Sequence, residues 1–136
     1  MEKNRTSTAA VKIREIMTAN VTTIEPEERV FKAVKKMVEK DVECLPVTKF
    51  GILRGLVTFR DIIEKVVYRE RDPEKIKVED VMTKRLITCG PDSTIIDVVK
   101  LMKNKRLRRI PVVDESKKLI GIVTNFDLAI FGWELE

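Results

Sequence analysis

Two aspartates, Asp61 and Asp127, each stand three positions after a threonine, Thr58 and Thr124, within Gly55-Leu56-Val57-Thr58-Phe59-Arg60-Asp61 and Gly121-Ile122-Val123-Thr124-Asn125-Phe126-Asp127. In both stretches a glycine precedes two apolar residues and an amphipathic run starts at the aspartate, a pattern that predicts strand, tight turn and helix start. The threonine and aspartate then lie where unpaired backbone N–H groups favour anionic ligands. The same Thr-x-x-Asp spacing is also a helix capping box, with threonine as N-cap and the acid at N3. The motif therefore has a structural reading beside a ligand-binding one. Two copies predict two related sites.

The remaining chemistry-bearing residues narrow the function. Histidine is absent, which removes the most frequent general base and the commonest metal ligand. Cys44 and Cys89 match no metal-ligand spacing and no disulfide framework, so free thiols are expected. No nucleophile, base and orienting group are grouped in the sequence, so neither catalytic residues, nor a bound metal, nor a catalytic cofactor is expected. A net charge of +5 and a pI near 9.3 suit anionic partners, either nucleotides or nucleic acid. The basic run at 103–109, Lys-Asn-Lys-Arg-Leu-Arg-Arg, reads as a solvated helix end, as a phosphate contact through Arg108 and Arg109, or as a nucleic-acid surface.

A motif that occurs twice must be positioned twice. At an offset of 65, residues 11–18 align with 76–83, Pro26 with Pro91, Met37 with Met102, and Leu45-Pro46-Val47 with Ile110-Pro111-Val112. One inserted residue then shifts the offset to 66, and Gly55, Thr58 and Asp61 meet Gly121, Thr124 and Asp127. The chain is a tandem duplication.

In each copy a β-prone run (21–24, 86–89) is followed by a helix. Val30, Ala33, Val34, Met37 and Val38 recur at helical spacing in the first copy, and Ile95, Val98, Val99 and Met102 in the second. These stripes are expected to face a core. Two hairpin strands come next (45–48 with 52–58, 110–113 with 119–124), and then a last helix carrying Ile62, Ile63, Val66 and Val67, or Leu128, Ala129, Phe131 and Leu135.

The expected fold is therefore α/β, as tandem β-α-β-β-α repeats. Their expected bounds are an N-terminal tail 1–10, repeats at 11–67 and 76–131, a charged linker 68–75 with Pro73, and a C-terminal tail 132–136. One repeat alone would bury too little surface to be stable. Two repeats packed sheet to sheet should share one core in a pseudo-two-fold domain, with ligand sites in the clefts between halves. No apolar run approaches the roughly 20 residues of a membrane span, and the polar start lacks the apolar segment of a signal peptide. A cytoplasmic protein is expected.

The Met-Thr pairs Met17-Thr18 and Met82-Thr83, the Pro-Val strands at Pro46 and Pro111, and the two Gly-h-h-Thr-x-x-Asp ends together make the chain resemble a pair of CBS (cystathionine-β-synthase-type) domains, a Bateman module, over residues 11–131. The resemblance implies a regulatory module without a catalytic role that binds adenosyl ligands (AMP, ADP, ATP or S-adenosylmethionine). It further implies that Asp61 and Asp127 accept hydrogen bonds from ribose hydroxyls, while Thr58 and Thr124 contact ribose or phosphate. A carboxylate suits a vicinal diol because it is a pure acceptor.

By the family pattern Thr58 and Asp61 work with Ile87, Arg108, Arg109, Ile110 and Pro111. Thr124 and Asp127 work with Thr22, Cys44, Leu45 and Pro46, and Leu56 and Ile122 flank the adenine. Arg108 and Arg109 align with Glu43 and Cys44, so the site of Thr58 and Asp61 is expected to be the stronger for phosphate. The resemblance also implies a homodimer. With no effector domain fused, signalling is expected to pass to a separate, unidentified effector protein. The alternative is a nucleic-acid-binding protein that uses the basic surface around 103–109.

Overall fold

The computed structural model describes residues 10–134, so most of the expected N-terminal tail, and residues 135 and 136 with the expected helix residue Leu135, lie outside the described residues. In chain order the regular elements are α1 (Val30–Lys40), β1 (Cys44–Lys49), β2 (Ile52–Thr58), α2 (Phe59–Ile62), which continues as a π-helical segment (Ile63–Val67), α3 (Ile95–Lys105), β3 (Arg109–Val113), β4 (Leu119–Thr124) and α4 (Asn125–Glu134). Short 3-10 turns lie at Ile13–Glu15 and Val78–Asp80. Helix α4 runs into the stretch expected as a C-terminal tail.

The strands pair as two antiparallel hairpins, β1 with β2 and β3 with β4. The first turns on Phe50 and Gly51, at φ 52° and 80°, the paired positive values of a type I′ turn, whose twist matches that of the strands. In the second, Asp114 carboxylate oxygen Oδ1 accepts from the N–H groups of Ser116 (2.8 Å) and Lys118 (3.0 Å) and closes the longer loop.

The strands expected at 21–24 and 86–89 are reduced to single parallel bridges, Ile24 with Val47 and Cys89 with Val112. Four prolines account for this. Ile24 N–H donates to the Pro46 carbonyl (3.1 Å) and Thr48 N–H donates to the Ile24 carbonyl (2.9 Å). The next bonds of a parallel ladder would need N–H groups on Pro46 and on Pro26, and proline has none. Cys89 repeats the pattern, with bonds to the Pro111 carbonyl (3.1 Å) and from Val113 N–H (2.9 Å). There the ladder is stopped by Pro111 and Pro91.

Helices α1 and α3 bury Val30, Ala33 and Met37, and Ile95, Val98 and Met102. Val38, expected on the core stripe, is 74% exposed, and Val99 is also exposed. At about 100° per residue the buried positions define a stripe narrower than the hydrophobic pattern, and these two valines fall on its solvent edge. The N-cap of α3 is Thr94, whose hydroxyl oxygen accepts from Asp97 N–H (3.2 Å).

The chain divides into two compact units, Val21–Leu86 and Met1–Asn20 with Ile87–Glu136. Within these units the buried apolar residues form two clusters. One is built on Ile24, Met37, Leu45, Val57 and Val78, and the other on Ile13, Val98, Met102, Ile110 and Val123. Each cluster contains the lead-in segment of the opposite repeat: Val78 and Val81 pack with the first repeat, and Ile13 packs with the second.

Candidate functional site

The lead-in segments are held by the motif strands. Leu56 N–H donates to the Thr83 carbonyl (3.0 Å) and Thr83 N–H donates to the Leu56 carbonyl (2.8 Å). Ile122 and Thr18 exchange the same pair of bonds, at 3.0 and 2.9 Å. The preceding glycines make this approach possible. A Cβ on Gly55 would lie 2.7 Å from Met82 Sδ and 2.9 Å from the Thr83 carbonyl oxygen, and one on Gly121 would lie 2.6 Å from Met17 Sδ and 2.9 Å from the Thr18 carbonyl oxygen. The glycine of the motif and the Met-Thr pair are thus two sides of one contact.

Both Thr-x-x-Asp elements form capping boxes. Asp61 N–H donates to Thr58 Oγ1 (3.2 Å) and Thr58 N–H to Asp61 Oδ2 (3.0 Å). Asp127 N–H donates to Thr124 Oγ1 (3.0 Å) and Thr124 N–H to Asp127 Oδ2 (2.9 Å). Each cap leaves the other carboxylate oxygen, Oδ1, directed elsewhere, and there the two elements part.

Asp61 is 7% exposed. Its Oδ1 accepts from Lys65 Nζ (3.0 Å) and from the Thr83 hydroxyl (3.1 Å), and its Oδ2 accepts a further bond from the Thr58 hydroxyl (3.1 Å). Lys65 Nζ also donates to the Val81 carbonyl (2.8 Å). Asp127 is half-buried, and among the described residues its Oδ1 has no partner.

The residues singled out from the sequence divide between the units. Thr22, Cys44, Leu45, Pro46, Leu56, Thr58 and Asp61 lie in Val21–Leu86, and Ile87, Arg108, Arg109, Ile110, Pro111, Ile122, Thr124 and Asp127 in the other unit. Within a unit the hairpin register brings some together: Cys44 pairs with Thr58 and Pro46 with Leu56, while Arg109 pairs with Thr124 and Pro111 with Ile122. Directly opposed residues share a face of the ladder with Cβ atoms about 5 Å apart. Arg109 therefore stands beside Thr124 in the second repeat, where the first repeat has Cys44 beside Thr58. The Arg108 carbonyl accepts from Asn125 N–H (2.8 Å), as the Glu43 carbonyl accepts from Phe59 N–H (3.0 Å), and fixes each helix start to the preceding strand.

Lys65 and Thr83 were not reached by sequence reasoning as site residues. The signal for Lys65 was its place four residues after Asp61, the spacing of a helical ion pair. Thr83 was visible only as half of a Met-Thr mark. Two clefts within the units, about 440 Å³ each, are lined by other residues, among them Glu27, Lys49 and Arg54 in one and Gly90, Asp92 and Asp114 in the other. The first holds charges of both signs, with Glu27 on Lys49 at 3.1 Å. Among the described residues no group of three or more acids, cysteines or histidines could hold a metal ion, and no helix is long and apolar enough to cross a membrane.

The family model for the CBS domain matches residues 13–68 and again 78–132. The CBS domain-containing protein YhcV of Bacillus subtilis is 33% identical over 118 residues, covering 87% of this chain and 83% of YhcV. The chain spans less of two archaeal relatives, 43% and 61% of their lengths. An uncharacterized conserved protein from Pyrococcus horikoshii has a crystal structure that matches with a TM-score of 0.81 at 30% identity, covering 91% of this chain and 93% of that one. The CBS domain pair of protein MJ0100, crystallised with 5′-methylthioadenosine and S-adenosyl-L-methionine, matches with a TM-score of 0.79 at 25% identity, covering 90% and 99%.

Proposed function

The chain belongs to the CBS domain family, and from that premise we propose that its ligand is an adenosyl compound, AMP, ADP, ATP or S-adenosylmethionine, taken up at Thr124 and Asp127. The observation that carries this reading is the carboxylate of Asp127. One oxygen holds the helix cap and the other has no partner among the described residues. A ribose diol needs such an acceptor. Arg109 stands in register with Thr124, and a guanidinium is the side chain whose geometry suits an anionic group on such a ligand. The adenosyl ligands of the MJ0100 domain pair support the same class.

In this reading the protein is a regulatory CBS pair without a catalytic step. A ligand acts by binding one arrangement of the chain better than another and so shifting its population, and the output passes to an effector protein. Phe59, Ile63 and Val67 recur every four residues along one helix and are exposed, an apolar stripe suited to a second copy of the chain.

The test is a thermal-shift panel with the four ligands on the unaltered chain and on Asp127→Asn, followed by calorimetry. Asparagine keeps an oxygen for the cap and removes the charge. The expected result is a ligand-dependent rise in Tm on the unaltered chain and a roughly 10- to 100-fold loss of affinity in the variant, the size of one or two lost charge-assisted bonds. If no adenosyl ligand raises Tm while RNA or DNA binds with a steep salt dependence, the basic-surface reading replaces this one. Light scattering on the same samples gives the mass of the assembly.

A further inference from the structure

We propose that Lys65 is a built-in occupant of the first repeat's carboxylate, so that the chain takes up one adenosyl ligand rather than two. This rests on the adenosyl reading above and adds which of the twin motifs is open.

A carboxylate offers about four lone-pair directions, and Asp61 already accepts four bonds, from Thr58 N–H, the Thr58 hydroxyl, Lys65 Nζ and the Thr83 hydroxyl. A ribose diol could reach Oδ1 only by displacing Lys65 and Thr83. Lys65 is doubly held, because its second bond goes to the Val81 carbonyl at 2.8 Å. The Asp61 side chain is 9% exposed and that of Lys65 35%, so the carboxylate end of the pair is held away from the solvent screening that weakens surface ion pairs. Displacement would leave an ammonium group and a hydroxyl to find new partners.

The second repeat lacks this arrangement for identifiable reasons. The residue aligned with Lys65 is Phe131, which packs against the apolar cluster of its unit and has no donor. The residue aligned with Thr83 is Thr18, and it makes no bond to Asp127 among the described residues. The helices differ as well: Lys65 lies in the π-helical segment, where Tyr68 N–H donates to the Ile63 carbonyl at 2.8 Å, whereas α4 is α-helical throughout. The exchange of a lysine for a phenylalanine thus turns one of two equivalent motifs from a ligand site into a clasp. The arginines ranked the first repeat as the stronger site, and the carboxylate geometry reverses that order.

Two measurements test this. Reductive methylation read by mass spectrometry reports on the pair without any ligand. Lys65 is expected to react several-fold more slowly than the exposed lysines Lys103 and Lys105, and Asp61→Asn is expected to remove that protection. Equal reactivity in the unaltered chain would overturn the proposal. Calorimetry with AMP and with S-adenosylmethionine then reports the consequence. The unaltered chain is expected to bind one equivalent, with Asp61→Asn within about twofold of it, whereas Lys65→Met is expected to bind two, the second abolished by adding Asp61→Asn. Two ligands on the unaltered chain, or one on both proteins, overturns the Lys65 proposal and leaves the adenosyl reading standing. Absence of binding to both proteins overturns the adenosyl reading and the stoichiometry with it.

Discussion

Replacing Gly55 by alanine tests how tightly the Met82-Thr83 segment lies on β2. The new Cβ would sit 2.7 Å from Met82 Sδ and 2.9 Å from the Thr83 carbonyl oxygen. The methionine side chain can swing away. The carbonyl is held by Leu56 N–H at 3.0 Å, and restoring a normal contact requires the backbone to retreat by about 0.5 Å, which stretches that bond to the limit of hydrogen-bond geometry. Overpacking costs about 1–3 kcal/mol and the weakened bond about 1 kcal/mol. The reduced freedom of the unfolded chain returns about 0.5 kcal/mol. The net loss is about 2–3 kcal/mol, or on the order of 10 °C in Tm.

Urea unfolding followed by circular dichroism measures it. Gly132→Ala is the control, because among the described residues nothing lies within 4 Å of a Cβ placed there and alanine in a helix gains up to about 1 kcal/mol. In a Met82→Ala background the sulfur clash disappears and the carbonyl clash stays, so part of the Gly55→Ala cost should persist. A Gly55→Ala protein within about 0.5 kcal/mol of the unaltered chain, or a cost that vanishes entirely with Met82→Ala, would refute the reasoning.

Cys89 is buried, and burial pushes its thiol up to about 11. In a Cys44→Ser protein at pH 8, iodoacetamide should therefore label Cys89 only at the rate of unfolding, and rapid labelling of the folded protein would contradict that environment. Because the folded value is raised, this thiol favours the folded state below its ordinary value of 9.0, and the contribution is lost between about 9 and 11 as the unfolded thiol ionises. A Cys89→Ala protein should lose less stability than the unaltered chain over that interval in pH-dependent urea melts. Removing the α3 cap with Thr94→Ala should cost about 1 kcal/mol, measured by the same melts. No change would mean that the bond from Asp97 N–H is replaced by water.

The duplication, the two hairpins and the four helices were legible because each rests on local periodicity or turn chemistry that one repeat shows and the other repeats. What escaped depended on partners distant in sequence. Val21-Thr22-Thr23-Ile24 has strand composition, but whether it pairs is decided by the missing N–H of Pro46, in another element. The exposure of Val38 and Val99 reflects how wide a face the hairpins cover, which a helical wheel does not contain. The capping boxes were readable from Thr-x-x-Asp alone. That Thr83 completes the coordination of Asp61 was not, because an alignment of repeats says which residues correspond and nothing about which copy a segment packs against. Arg109 beside Thr124 follows from hairpin register, which requires the position of the bulge between Val112 and Val113.

The exchange of lead-in segments also sets an order of assembly during synthesis. Every residue of the unit Val21–Leu86 is contiguous, so it can close once that stretch has left the ribosome. Met17 and Thr18 must wait for Gly121 and Ile122, and their unit closes last, around the largest loop in the chain. The open carboxylate of Asp127 belongs to the late unit and the clasped carboxylate of Asp61 to the early one. A nascent chain therefore closes the unit of Asp61 before it closes the unit of Asp127.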